Sequence, residues 1–213
     1  MTRILCHFGA FSPETPAGAR AQRHRCRLLA ALRPSLEELG WDRVDGVVHA
    51  IGFAPKACLG SGMFTAGWDD VSVALHVSAY SLKGLTEAVL PLLPGGAASW
   101  GLDFDASVAW PAYDWLSVAK AALESTSPLP GPRPRGAGHP GQPGGRRSHR
   151  TMAGKSIPGF DTFEQVWKER APLGWDVTDA EPVALLRGPA VGLVPATTGE
   201  IVHVDGGFYA VGA

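Results

Sequence analysis

A nearly continuous apolar run, Val44-Asp-Gly-Val-Val-His-Ala-Ile-Gly-Phe53, most restricts the folds open to this chain. A strand with one wet face alternates apolar and polar residues; this run does not, so it predicts a strand covered on both faces, as in a parallel sheet. It ends at Gly52, where a missing side chain lets the backbone approach a ligand closely. Arg3 to Phe8 predicts a shorter strand before it. Leu28 to Leu39 predicts a helix, with Leu28, Leu29, Leu32, Leu36 and Leu39 as its apolar positions and Gly40 as its stop. A long helical pattern from Val71 to Leu93 follows and is ended by Pro94-Gly-Gly. Ala97 to Phe104 then predicts the next strand, and a helix begins at about Tyr113. Further on, Phe160 to Arg170 predicts a helix with Phe163 and Val166 on one face, and Glu200-Ile-Val-His-Val-Asp-Gly-Gly a final strand and turn. This alternation implies an α/β fold with a parallel sheet and right-handed crossovers, in which ligands bind at the carboxyl ends of the strands.

The length of 213 residues suits a single domain, residues 1–213, and a hydrophobic content of 45% is that of a globular chain. A net charge of -1 gives no reason to expect nucleic acid or an acidic membrane surface as a partner. Cys6, Cys26 and Cys58 are widely spaced and odd in number, which points to a reducing compartment. No apolar run approaches the ~20 residues of a membrane span, and Met1-Thr-Arg opens no secretory signal, so the cytoplasm is expected. Two stretches, 13–27 and 128–150, combine Pro, Gly and Arg with few large apolar residues and are expected to be irregular. The Pro128-Leu-Pro-Gly-Pro-Arg-Pro tract is also compatible with a polyproline ligand or an RNA contact, both of them less favoured readings. The seven histidines, at positions 7, 24, 49, 76, 139, 149 and 203, show no metal-ligand spacing, and no metal site is expected.

The stretch from Gly101 to Lys120 carries the chemistry. Tyr113 and Lys120 are seven positions apart. On a helix that is close to two turns, which puts phenol and ammonium on one face at a separation of about 10 Å. Such a span suits two groups working on different parts of one extended ligand. A lone Tyr or Lys on a helix is most often a surface or half-buried residue, so the surrounding string must carry the assignment.

That string resembles the enoyl-acyl-carrier-protein reductases, most closely the mycobacterial and actinobacterial NADH-dependent type within the short-chain dehydrogenase/reductase superfamily. The matching pieces are the Val44 to Pro55 run, His76-Val-Ser-Ala-Tyr-Ser81, Gly101-Leu-Asp-Phe-Asp105, Pro111-Ala-Tyr-Asp-Trp115, Ala119-Lys-Ala-Ala-Leu-Glu-Ser125, Arg150-Thr-Met, Arg170-Ala-Pro-Leu-Gly-Trp175 and Pro195 to Gly207. The spacing of Tyr113 and Lys120 is the more telling feature, because ordinary short-chain dehydrogenases place the two residues four apart. The resemblance implies a Rossmann-like parallel sheet with helices on both faces, its N-terminal βα part incomplete. It also implies NADH-dependent reduction of trans-2-enoyl thioesters carried by acyl carrier protein or CoA, and a homotetramer.

By the same resemblance, Tyr113 stabilises the oxyanion, Lys120 binds the nicotinamide ribose, and Phe104 is the aromatic residue beside nicotinamide and substrate. Ile51, Gly52, Val77, Lys120 and Thr151 are the implied cofactor contacts. Phe53, Leu59, Trp110, Tyr113, Leu116 and Met152 are the implied substrate and acyl-channel residues. A bland reading stands beside these roles, since Phe53, Trp110 and Leu116 also suit an ordinary core.

The family's glycine-rich pyrophosphate turn is not legible in this sequence, nor are its adenine-holding Asp-Val pair and the Ala-Gly-Pro-Ile loop before Arg150. Back-translation in a shifted frame restores family-like strings at 18–26, 129–144 and 188–194, which points to compensated frameshifts that the coding DNA can test. Weak NADH binding is therefore expected. The alternatives are a catalytically impaired or non-catalytic remnant of such an enzyme, or another short-chain dehydrogenase/reductase.

Overall fold

The computed structural model describes residues 4–7, 19–94, 98–110, 112–126, 142–146, 160–174 and 201–211. Strands β1 (Ile4–His7), β2 (Gly46–His49), β3 (Ala98–Asp103) and β4 (Gln142–Arg146) form one sheet in the order β1-β2-β3-β4, every neighbouring pair parallel. Each crossover steps in the same direction, so right-handed connections bring the intervening helices to one face. The packing agrees: α1 (Ala19–Glu38) lies against α3 (Ser81–Val89), and α4 (Asp114–Thr126) lies against α2 (Trp68–Leu75) and the turn that follows it.

The strand burial follows from the apolar run. All four residues of β2 are buried. Val47 packs with Leu36, Leu85 and Val89 from the helices, and His49 meets Ser81 Oγ at 2.7 Å on the same side. Val48 points to the opposite face and is equally buried, as is its register partner Trp100. Both faces are therefore covered, as the unbroken hydrophobicity demands. Ser81 Oγ donates to the Val77 carbonyl, so the His49 Nε2 position must carry the proton that it shares with Ser81.

Helix α1 is longer than its leucine pattern. It begins at Ala19, inside the stretch 13–27 expected to be irregular. Ala, Arg and Gln are strong helix formers, and once Leu29, Leu32 and Leu36 are packed each added residue extends the helix at little cost. Leu28 and Leu39, expected in the apolar stripe, are exposed. Pro34 sits within the helix on the exposed side, where the carbonyl it leaves without a donor can meet water. Gly40 ends the helix as expected: its φ is +74°, its N–H donates to Glu37 O at 2.9 Å, and Trp41 N–H donates to Leu36 O at 2.8 Å. That is the paired bonding of a glycine-terminated helix end.

The expected helix from Val71 to Leu93 runs from Trp68 to Leu92, with a wider π turn at His76–Tyr80 and a closing 3-10 turn at Leu90–Leu92. Strand β4 corrects the expectation of irregular structure across 128–150. It consists of Gln-Pro-Gly-Gly-Arg and pairs with β3 through main-chain groups, with a shift of register between Leu102 and Asp103. Pro is tolerated there because β4 is the last strand in the order and, among the described residues, pairs with β3 alone. The strand expected around 201–204 is absent among the described residues. A strand needs a ladder partner, and no described strand bonds with it. No helix of the described residues is long and apolar enough to cross a membrane.

Leu85, 1% exposed, stands at the centre of the helix-side core with Val47, Val44 and Leu36. Leu85→Ala is expected to lower stability by ~2–5 kcal/mol through lost burial and an unfilled cavity. Urea unfolding checks this. An unchanged midpoint would mean that this cluster does not carry the sheet.

Candidate active site

Three segments meet at the carboxyl ends of β2 and β3. The first leaves β2 through Ile51, Gly52 and Phe53. Ile51 is buried, and the main chain of Phe53 is held from both sides by Ser78: its N–H donates to Ser78 Oγ at 2.9 Å, and that hydroxyl donates to Phe53 O at 2.9 Å. Ser78 is fully buried and lies in the π turn beside Val77, also buried. The widened turn therefore presents a hydroxyl to the strand-end loop, a common use of such turns at functional sites.

The second segment continues β3 through Asp103 and Phe104 to Asp105. Asp105 O accepts the indole N–H of Trp110, and its carboxylate accepts the Ser107 N–H at 2.8 Å, so the 105–110 loop is pinned by its own first residue. Tyr113 N–H then donates to Trp110 O at 2.9 Å.

The third segment is α4. It starts at Asp114, so Tyr113 lies just outside it and the spacing of two helical turns does not describe how Tyr113 and Lys120 come together. Asp114 has a φ of +37°, a left-handed conformation that Asp tolerates better than most residues. Its carboxylate accepts the Gly62 N–H at 2.7 Å. Gly62 has no room for a side chain: a Cβ there would lie 1.9 Å from Ala57 O.

Tyr113 and Lys120 instead converge on the end of β3. The Tyr113 ring packs on Phe104 with centroids 4.5 Å apart. Lys120 Nζ donates to Leu102 O at 2.8 Å and lies 3.5 Å from Asp103 Oδ1. A Cβ built on Gly52 would stand at ordinary contact distance, 3.7 Å from Lys120 Cε and 3.8 Å from Nζ, so the Gly52 main chain lies directly beside the ammonium. The structure thus brings together Gly52, Phe104, Tyr113 and Lys120.

Leu59, Tyr113 and Leu116 share one buried cluster, with Phe104 and Trp110 packed against it. This is a filled core in the described chain and does not form an open acyl channel. Thr151 and Met152 lie outside the described residues. Among the described residues no group of three His, Cys, Asp or Glu side chains is placed to hold a metal ion.

The electrostatics are set by burial. Tyr113 is 1% exposed, and desolvation raises the pKa of its phenol further above the usual tyrosine range, so the group remains a proton-bearing donor. Asp103, 3% exposed, is pushed up to about 7 by burial; the Lys120 ammonium works against the rise and the Glu124 carboxyl adds to it. Glu124 also accepts the Ala106 N–H at 3.1 Å.

Sequence reasoning missed three residues. Asp103 is a carboxylate inside an apolar strand, Ser78 a hydroxyl on a buried helix face, and Trp167 a buried residue of α5 (Phe160–Arg170). On that helix Trp167 turns inward, while Val166, expected to face the core, is only half-buried. The indole of Trp167 stacks on Trp110 at 5.4 Å and on Phe208 at 4.2 Å. Phe208 is delivered by the Asp-Gly-Gly turn: Asp205 accepts the N–H groups of Gly207 and Tyr209, both at 3.0 Å, and Gly207 has a φ of +85°. A polar residue embedded in an apolar run was the signal available for Asp103 and Ser78.

The raised pKa of Asp103 has a pH signature. The unfolded chain loses this proton near 3.8 and the folded chain near 7. Between those values the folded state holds the extra proton, so stability falls as pH rises and levels off above about 7. From pH 5 to pH 8 the wild type is expected to lose roughly 2–3 kcal/mol more than Asp103→Asn, measured by urea unfolding. Equal pH dependence in the two proteins contradicts this placement of Asp103.

The comparisons with known proteins bear on the same residues. The family model described as enoyl-(acyl carrier protein) reductase matches residues 32–128, which include β2, β3, α4, Phe104, Tyr113 and Lys120. The NADH enoyl-[acyl-carrier-protein] reductase of Mycolicibacterium smegmatis is 40% identical over 185 residues, covering 78% of this chain and 66% of that protein. That of Mycobacterium avium is 36% identical over 184 residues, again covering 78% of this chain and 66% of the relative. The Aquifex aeolicus enzyme of the same name is 32% identical over 185 residues, covering 85% of this chain and 67% of its own. The chain therefore spans about two thirds of the length of these relatives. With the parallel sheet, the tyrosine and lysine gathered at the end of β3 and the length of the match, this chain belongs to the enoyl-(acyl carrier protein) reductase family of short-chain dehydrogenases.

Proposed function

We propose that the chain is an NADH-dependent enoyl-[acyl-carrier-protein] reductase that reduces trans-2-enoyl thioesters in fatty-acid synthesis. The observation that carries the reading is the placement of the buried Lys120 ammonium beside Gly52 and the Leu102 carbonyl, with the Phe104–Tyr113 ring pair at the same strand end. Relatives that bear the name of this activity match the chain over most of its length.

The described residues fit the nicotinamide end of the cofactor. Gly52 brings bare main chain beside the lysine at a strand's carboxyl end, and Lys120 supplies donors suited to ribose hydroxyls. Ile51 and Val77 back that loop, Ser78 holds it, and Thr151 is the pyrophosphate contact implied by the family. NADH, when bound, supplies hydride to C3 of the enoyl thioester.

The chain's own residues handle the charge that then develops on the thioester oxygen. Tyr113 donates a hydrogen bond to that oxygen, which is oxyanion stabilisation by a preplaced donor. Its raised pKa keeps it in the donating form throughout the physiological range. Lys120 holds positive charge close by. Phe104 provides a flat apolar wall, Leu59, Trp110 and Leu116 form the packed core that holds Tyr113 and Phe104 in place, and Phe53 and Met152 take the substrate-side roles implied by the family. The acyl group is carried by acyl carrier protein or CoA in the cytoplasm, and the active form is a homotetramer.

A second reading, a catalytically impaired remnant, is favoured by one observation: the sequence between β1 and α1 contains only Gly9 and Gly18 and no glycine-rich pyrophosphate turn. It shares with the first reading the expectation that NADH is held mainly by its nicotinamide half. A ketone-reducing short-chain dehydrogenase is disfavoured by the seven-residue spacing of Tyr113 and Lys120.

Tyr113→Phe is expected to lower kcat for crotonyl-CoA reduction by about a hundredfold or more, with little change in the KM for NADH. Steady-state NADH oxidation measures this. A kcat within about twofold of wild type would remove Tyr113 from the chemistry.

A further inference from the structure

Asp103 is a buried acidic group at the reacting corner that takes no part in the chemistry assigned to Tyr113 and Lys120. It is the last residue of β3, and its carboxylate stands 3.5 Å from Lys120 Nζ. That separation is longer than a charge-assisted hydrogen bond and still short for the attraction between unlike charges. Both side chains are buried, so salt and water screen the pair little.

An ammonium carries three N–H donors. Leu102 O accepts one of them at 2.8 Å, and the Gly52 main chain lies beside the nitrogen. The remaining donors suit a pair of ribose hydroxyls, provided that no other acceptor draws them away. Asp103 is such an acceptor when ionised. It follows Leu102 directly in the chain, so the ammonium can turn toward it without leaving the strand end.

The charged groups acting on Asp103 are Lys120 and Glu124, both from α4. On β2 the titratable residue is His49, in register with Gly101 and bonded to Ser81 Oγ at 2.7 Å. On β4 Arg146 is the main-chain register partner of Asp103. Burial pushes Asp103 up to about 7, with Lys120 pulling against the rise and Glu124 adding to it, so both charge states are populated near neutral pH.

We propose that Asp103 is a positioning residue for Lys120, drawing the ammonium away from the nicotinamide ribose when ionised and releasing it when protonated. The proposal rests on the reading in which Lys120 binds NADH and adds to it a control on that binding. A neutral carboxyl makes no charge-based claim on the lysine, whereas the carboxylate formed as pH rises through about 7 competes for its donors. NADH affinity therefore falls across that interval.

The test is a titration of the full chain and of Asp103→Asn with NADH at about pH 6 and about pH 8.5, followed by energy transfer from tryptophan. The wild type is expected to bind about threefold to tenfold more weakly at the higher pH, the worth of one contested hydrogen bond. Asp103→Asn, which keeps the shape and cannot ionise, binds at both pH values about as the wild type does at the lower one. Every other titratable group is common to the two proteins, so their difference isolates Asp103. Should Asp103→Asn fail to fold by circular dichroism, Glu124→Gln removes the neighbouring carboxyl and is expected to move the fall in affinity to lower pH.

Parallel pH profiles in wild type and Asp103→Asn overturn the proposal, as does an unmoved fall in Glu124→Gln. If no protein binds NADH saturably, the cofactor reading fails. The hold on the ammonium is then judged from the carbon-13 signal of Lys120 Cε. A step near pH 7 that Asp103→Asn lacks, or that Glu124→Gln moves to lower pH, upholds it, and a step unchanged in the variants, or no step at all, overturns it.

Discussion

The ammonium of Lys120 is buried, and the arrangement of the site follows from what must be done to keep it there. Removing such an ion from water costs several kcal/mol unless other groups replace its hydration. The Leu102 carbonyl does so at 2.8 Å, and Asp103 stands 3.5 Å away. Both partners lie at the end of β3 while the lysine is on α4, so the bond ties the helix to the strand end. Asp103 is a weak counter-charge, because its own burial pushes its pKa up to about 7. Near neutral pH the ammonium is therefore only partly balanced. A site that must stabilise negative charge gains from that imbalance, since the positive field is already present before the oxyanion forms.

The other groups are placed by main-chain devices that have no chemistry of their own. Ser78 clamps the amide and carbonyl of Phe53 and so holds the loop after Gly52. Asp114 takes a left-handed conformation and bonds to Gly62, which turns the chain so that Tyr113 faces Phe104. Asp205 organises the Asp-Gly-Gly turn that brings Phe208 onto Trp167. Each is a short polar side chain satisfying backbone groups at a place where the regular ladder ends, as buried polar groups require.

Much of this was legible in the sequence because it depends on local pattern. The unbroken apolar run at Val44 to Phe53 specified a strand covered on both faces, and β2 is buried at every position. Gly40 marked the end of α1 through its left-handed geometry. Gly52, Phe104, Tyr113 and Lys120 were singled out in the sequence and are near one another in the fold, yet the route by which Tyr113 and Lys120 approach the same strand end was not legible, because a single positive φ at Asp114 takes Tyr113 off the helix. What escaped the reading depends on partners distant in sequence. The helix from Ala19 is stabilised by packing that begins ten residues later, β4 has strand form only because β3 lies beside it, and Trp167 becomes part of the site only through Trp110 and Phe208. The absence of a glycine-rich turn was equally plain in the sequence, and it sets the expected strength of cofactor binding.

The proposed function turns on Lys120 being the group that holds the nicotinamide half of NADH. The most direct measurement is a titration of the 213-residue chain with NADH, followed by energy transfer from tryptophan, beside the same titration of Lys120→Met with its fold checked by circular dichroism. The wild type is expected to bind weakly but saturably, and the variant about tenfold to a hundredfold more weakly still, the worth of one or two lost charge-assisted hydrogen bonds. Equal affinities in two folded proteins would contradict the account.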